Sequence, residues 1–94
     1  MTFRVTVLAF TPARQVEVAS GLLGWVDLRV GELLIVNRVA VRRTRDGAPA
    51  LAWPARNDRR GIRRFVVRPE CHAARVGIEA VVFAELARQG LVLA

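Results

Sequence analysis

The order in which two hydrophobic patterns follow each other most constrains the fold of this chain. Residues 2–67 contain short segments in which apolar and polar side chains alternate, separated by turn-forming residues. A period of two is typical of half-buried strands. One long segment, residues 70–89, instead has apolar side chains at helical spacing. Strands followed by one helix predict an α+β fold, with a small antiparallel sheet of four to five strands and one C-terminal α-helix.

Turn-forming residues mark the expected strand boundaries. Gly31-Glu32 is expected to close a two-residue hairpin, since glycine readily adopts the positive φ that such turns need. Asp46-Gly47 indicates a second tight turn, and Gly21 and Gly24 indicate a bulge or break in extended chain. The other expected segments are a strand at 2–10, a turn at 11–14, extended chain at 15–30, strands at 33–43, 50–53 and 63–67, and an exposed loop at 55–62.

The C-terminal helix is expected over about residues 70–89, with Pro69 in its first turn and Gly90 as its stop. Its expected core positions share one stripe: Ala74, Ile78, Val81, Val82 and Leu86. Val76 and Phe83 lie off this stripe, so the helix is apolar around much of its girth. Because one sheet face cannot cover both sides of a helix, we expect a homodimer with Val76 and Phe83 in its interface.

Length and cysteine content limit the class of protein. Ninety-four residues fit one domain, residues 1–94, with the sheet at about 2–67. The longest uncharged stretch, between Glu17 and Asp27, spans nine residues and is too short to cross a bilayer, so no membrane partner is expected. A single cysteine permits no internal disulfide, which agrees with a reducing compartment. We therefore expect a cytoplasmic protein.

Positive charge is concentrated in the middle of the chain. The formal net charge is +7, and residues 38–75 alone hold eleven arginines against three acidic residues, a net +8. Five of these arginines fall within nine residues: Arg56, Arg59, Arg60, Arg63 and Arg64. Guanidinium groups donate paired hydrogen bonds to phosphate oxygens and release counterions from nucleic acid. The cluster predicts a nucleic-acid-binding loop, and the alternative is a solvated loop in an arginine-rich sequence.

Other side chains with functional potential are few. Trp53 precedes the loop and can stack on a base or belong to the core, and its alternating apolar neighbours favour the core. Cys71 and His72 invite a nucleophile-and-base interpretation, but adjacent helical residues point about 100° apart. The sequence has too few metal ligands of the Cys and His type, no Walker A motif and no dinucleotide fingerprint. We expect no catalytic residue, metal, cofactor or small-molecule substrate, and no enzymatic activity.

Several motifs between residues 22 and 88 are similar to those of one known family. They are GELLIVNRVAV, ALAWPAR after the DG turn, RNDRRGIRRFVVRP, and a helix carrying Arg75, Ile78 and Val82. Ala55-Arg56 follow a strand-ending proline, with Gly61 seven residues past that proline and Pro69 eight residues later. With these features the chain resembles the stage V sporulation protein G (SpoVG) septation family. The resemblance implies a small cytoplasmic α+β homodimer without enzymatic activity, a regulator that binds DNA and in some cases RNA, linked to septation, sporulation or gene regulation.

The departures from that family make this chain more basic. The loop that is usually of mixed charge is DRRGIRR here, and Phe65 stands where an acidic residue is expected. The segment between Pro69 and Arg75 lacks the serine or threonine cap of the family. Added positive charge favours nucleic acid as the partner. The sequence thus predicts a dimeric nucleic-acid-binding regulator. The alternatives are a protein–protein adaptor of the cell-division machinery that applies its basic loop to an acidic partner, and a small enzyme using Cys71.

Overall fold

Four strands form one antiparallel sheet in chain order. The computed structural model describes residues 4–91. The sheet has the order β1-β2-β3-β4 and consists of β1 (Val5–Pro12), β2 (Leu22–Val30), β3 (Leu34–Arg43) and β4 (Pro49–Ala52). The other elements are α1 (Gln15–Val18), a second, two-stranded sheet of β5 (Ala55–Asn57) and β6 (Arg63–Phe65), and α2 (His72–Arg88). The predicted α+β class, with an antiparallel sheet followed by one C-terminal helix, is confirmed.

The core joins the four-stranded sheet to α2. The fully buried side chains of the sheet are Val26 and Leu28 on β2, and Val39 and Val41 on β3. Val26 pairs with Val39 across the two strands, so the buried positions fall on one face of the sheet. They form one cluster with the buried side chains of α2, which are Ile78, Val82 and Leu86. Positions four residues apart follow one line along a helix, and this line makes the contact with the core. Trp53 is also buried in this cluster, as its apolar neighbours indicate.

The burial of Val81 and Phe83 on α2 differs from the sequence prediction. Val81, predicted to lie in the core, is 42% exposed, because it is about 100° around the helix from Val82. Phe83 is half-buried and packs against the core of its own chain. Val76 is 49% exposed. Of the two residues predicted for a dimer interface, Val76 is the one that is openly exposed.

The connection from β1 to β2 contains a helical turn. Residues 15–18, predicted to be extended, form α1 because Glu17 Oε1 accepts both the backbone N–H and the Nε–H of Arg14, at 3.1 and 3.2 Å. Strand β1 continues through Pro12, where the sequence predicts a turn, and an edge strand tolerates a proline. Residues 2 and 3 of the predicted first strand lie outside the described residues.

Two glycines determine how β2 pairs with its neighbours. Gly24 lies at a register shift between β2 and β3, which confirms the predicted irregularity. A Cβ atom there would stand 2.5 Å from the carbonyl oxygen of Thr11 and 2.6 Å from Cζ of Phe10, so glycine allows β1 to approach closely. Gly31, with φ of +62°, begins the turn into β3, and strand pairing resumes at Leu34. The loop therefore has three residues instead of the predicted two.

The segment predicted as an exposed loop, residues 55–62, is in part a strand. Its first three residues form β5 and pair with β6, which leaves residues 58–62 as the turn. Strand β6 is also shorter than the predicted 63–67. The turn predicted at Asp46-Gly47 is confirmed, since Gly47 has a φ of +86° and donates its N–H to the Thr44 carbonyl at 2.9 Å.

The ends of α2 are set by two backbone changes. Cys71 is extended, with φ of −151°, so the helix begins at the next residue and Pro69 precedes it instead of lying in its first turn. Gly90, with φ of +95°, follows the last turn, as predicted. No helix in the part of the chain from residue 4 to residue 91 is long and apolar enough to span a membrane.

A side-chain hydrogen bond links α2 to the edge of the sheet. Glu79 Oε2 accepts the backbone N–H of Leu51 in β4 at 3.0 Å. Because β4 is the last strand in the sheet order, an N–H on its open side has no neighbouring strand to bond. The Glu79 carboxylate therefore supplies an acceptor that the sheet itself does not.

Candidate nucleic-acid interface

The five predicted arginines lie together on one exposed hairpin. This arginine hairpin, residues 55–65, consists of β5, β6 and the turn between them. Arg56 stands directly opposite Arg64, and the next pair along is Asn57 with Arg63. Because side chains alternate between the faces of a strand, Arg63 shares a face with Phe65, and Arg56 and Arg64 share the other. Arg59 and Arg60 occupy the turn. The hairpin thus presents guanidinium groups on both faces and at its tip.

Asp58 organises the turn of the arginine hairpin. Its Oδ1 atom accepts the backbone N–H groups of Arg60 and Ile62, both at 2.9 Å. Its Oδ2 atom accepts the Nε–H of Arg64 at 2.8 Å. The hydrogen bond from Arg64, followed by that from the Ile62 backbone, holds the pKa of Asp58 below its ordinary value. The one carboxylate of the hairpin is therefore ionised at neutral pH and occupied by its own turn.

The other hairpin arginines form no ion pair with an acidic residue in the described part of the chain. Three ion pairs occur among residues 4–91: Arg14 with Glu17, Arg64 with Asp58, and Arg88 with Glu85. Arg64 is the only hairpin arginine among them, and its side chain is still 69% exposed. Two arginines directly opposite each other on a short ribbon repel. A multivalent anion lying against Arg56 and Arg64 would relieve that repulsion.

A groove of about 430 Å³ lies between β4, the arginine hairpin and the beginning of α2. We call it the basic groove, and its lining residues are Leu51, Ala52, Trp53, Arg63, Phe65, Arg68, Pro69, Cys71, His72 and Arg75. Three of the ten lining residues are arginines. No described residue that lines the groove is acidic. The sequence prediction included Arg63 and omitted Arg68, Arg75 and Phe65. Arg68 and Arg75 could have been found from the sequence, because both belong to the basic segment 38–75. That segment extends beyond the predicted loop on both sides.

The structure places Cys71 and His72 next to each other at the beginning of α2. Cys71 is exposed and directly precedes α2, and His72 is the first helical residue. Nη2 of Arg75 lies 3.1 Å from Nδ1 of His72, one helical turn along. A guanidinium group can only donate, so this nitrogen of His72 acts as an acceptor towards Arg75. His72 is therefore engaged by an arginine on its own helix.

No protein-family model, no curated protein and no solved structure matches the chain. The charges and geometry of the arginine hairpin and the basic groove are therefore the observations from which its function can be inferred.

Proposed function

We propose that the protein is a small, non-enzymatic nucleic-acid-binding regulator that binds DNA, and also RNA, through the arginine hairpin. The observation that carries this proposal is the exposed cross-strand pair of Arg56 and Arg64, flanked by Arg59 and Arg60 at the tip and by Arg63 on the other face. The hairpin carries five positive charges and one negative charge. A surface with this charge attracts the phosphate backbone at long range and donates several hydrogen bonds to it at contact.

The backbone of the hairpin suits this role because the side chains of Arg59 and Arg60 do not form the hydrogen bonds by which Asp58 holds the turn. Asp58 holds the turn through two backbone N–H groups, and the two strands pair through their backbones. The guanidinium groups of Arg59 and Arg60 can therefore follow the phosphates of different sequences without disturbing the hairpin. Contacts of this type position a protein on nucleic acid but carry no base information.

A salt-titrated binding assay tests the proposal. If all five arginines contact phosphate, the logarithm of the association constant should fall with the logarithm of the salt concentration with a slope of about −3.5 to −4.5. The assay should include duplex DNA, single-stranded DNA and RNA. Absence of binding to all three at low salt, with salt-sensitive binding to an acidic protein segment, would overturn the proposal in favour of the adaptor.

The cellular setting is proposed from sequence resemblance. The SpoVG-like motifs of residues 22–88 link the chain to septation, sporulation or gene regulation in the cytoplasm. The high charge of the hairpin supports a regulator that acts on nucleic acid, since net charge bears directly on nonspecific binding and on association rates.

We also propose that the regulator is a homodimer that associates through α2. The exposed apolar positions of the helix are Ala73, Val76, Ala80, Val81, Ala84 and Ala87. They lie away from the buried line that contacts the sheet. A symmetric dimer would cover such a face on both copies at once and is the commonest oligomer. Phe83 is half-buried against its own core, so it can contribute at most the remainder of its ring.

Replacing Val76 with glutamate is expected to convert the dimer into a monomer of 10.4 kDa. A charge at the centre of an apolar contact would have to be desolvated without a partner. Sedimentation equilibrium at micromolar concentration measures the change. Val16→Glu is the matched control, because Val16 is a 73% exposed valine on α1 and the charge change is the same. A monomeric wild-type protein, or a dimer that Val76→Glu leaves intact, contradicts the α2 interface.

A further inference from the structure

The geometry of the basic groove points to a second contact with nucleic acid: we propose that the groove binds one unpaired nucleobase together with its flanking phosphate. The protein would then prefer single-stranded over duplex nucleic acid. This inference rests on the proposed function and assigns it a substrate class. The groove lies beside the arginine hairpin, and Arg63 belongs to both, so a strand that follows the hairpin reaches the groove without a break.

The charge around the groove suits a phosphate. Arg63 reaches it from β6, Arg68 from the segment after β6, and Arg75 from the first turns of α2. None of the three takes part in an ion pair with an acidic residue among residues 4–91. Nδ1 of His72 accepts a hydrogen bond from Nη2 of Arg75. This hydrogen bond orients the Arg75 guanidinium group from within the groove wall. Three arginines from separate segments line one groove, and guanidinium groups donate paired hydrogen bonds to phosphate oxygens.

The remaining walls suit a base. Phe65 is 54% exposed on the hairpin face that it shares with Arg63. An exposed aromatic ring next to arginine is the usual platform on which unpaired bases stack. Trp53 forms part of the wall and is 7% exposed, so it lends the groove a second aromatic residue beside Phe65.

The accessibility of the base separates single strands from duplexes. A groove of about 430 Å³ is within the range of sites that enclose small molecules. A base in a duplex is stacked and paired, and it would have to be extruded at a cost of a few kcal/mol. A base in a single strand is free to enter. Arg59 and Arg60 at the hairpin tip do not line the groove, so they should serve both kinds of strand equally.

The test compares Phe65→Ala with the wild-type protein on single-stranded and duplex DNA of the same sequence, with strands of about 12 nucleotides. Phe65→Ala should weaken single-strand binding by about 5- to 140-fold, as the loss of one stacked base predicts, and leave duplex binding unchanged. Val66→Ala is the matched control, because Val66 is the adjacent residue, is 65% exposed and does not line the basic groove. Circular dichroism spectra establish that both variants fold.

Each outcome separates this inference from the proposed function. If both strand types bind equally and Phe65→Ala affects neither, or affects both alike, the groove assignment fails while the phosphate-binding hairpin stands. If neither strand binds, the proposed function itself fails. Adenosine monophosphate is the third arm, since a free nucleotide also offers a base and a phosphate. Competition by the mononucleotide as strong as that by the single strand would assign the groove to a free nucleotide and overturn the strand-binding proposal.

Discussion

Replacing Arg59, Arg60 and Arg63 together with alanine is expected to weaken the binding of every nucleic acid sequence to nearly the same extent. Each phosphate contact contributes about 0.7–0.9 to the magnitude of the log–log salt slope, so the triple variant should lose about two units of slope. Sequence preference should not change, because phosphate contacts carry no base information. The fold should hold, since all three side chains are exposed and substitutions of that kind usually change stability by about 0.5 kcal/mol or less.

A second triple variant removes the same charge from elsewhere. Arg14, Arg29 and Arg88 are exposed, and two of them already pair with glutamates on their own helical segments. Their replacement with alanine lowers the net charge by the same amount but should leave the salt slope nearly unchanged. Equal losses in the two triple variants would mean that overall charge, and not the arginine hairpin, sets the affinity. An unchanged slope in the hairpin variant would place the nucleic-acid site elsewhere.

Replacing Gly24 with alanine is expected to cost about 3 kcal/mol of the free energy of unfolding. The new Cβ would lie within 3 Å of both the Thr11 carbonyl oxygen and the Phe10 ring, so β1 would have to move away from β2. A domain of this size has a total stability of about 5–15 kcal/mol, so the loss would be a large share of it. Urea denaturation measures the change through the unfolding midpoint.

Gly31→Ala is the comparison for this substitution. Gly31 also has a positive φ, but no atom lies within 4 Å of the position that its Cβ would occupy. Its replacement should cost about 1 kcal/mol, from backbone strain alone. Equal losses at the two glycines would show that the close approach of β1 and β2 is less tight than the distances indicate.

The periodicity of the sequence was enough to predict the main elements but not their ends. Val26, Leu28 and the valines of β3 alternate clearly, and one sheet face follows from them. The α1 turn depends on Glu17 capping residue 14, a local side-chain contact that competes with the extended tendency of its valines. The start of α2 was predicted too early because proline is compatible with a first turn without requiring one.

The candidate site was predictable where its residues are adjacent in sequence. Five clustered arginines had to lie close together on any short loop or hairpin, and charge counting found them. The basic groove was not predictable, since Arg68, Arg75 and Phe65 meet Trp53 only after the hairpin folds back beside β4 and α2. The periodicity of the sequence does not predict this contact, because the contact depends on the angle between elements that irregular segments of chain separate.

The hydrogen bond from Leu51 to Glu79 bears on whether copies of the protein aggregate when they are held close together. A basic protein that binds nucleic acid without sequence preference gathers many copies side by side, and open sheet edges at such density recruit one another into aggregates. On the β4 side, an incoming strand would have to displace a carboxylate before it could accept from the Leu51 N–H. Glu79 on α2 thus makes the addition of a further strand at the β4 edge less favourable, which would limit aggregation if copies gather along a nucleic acid as proposed.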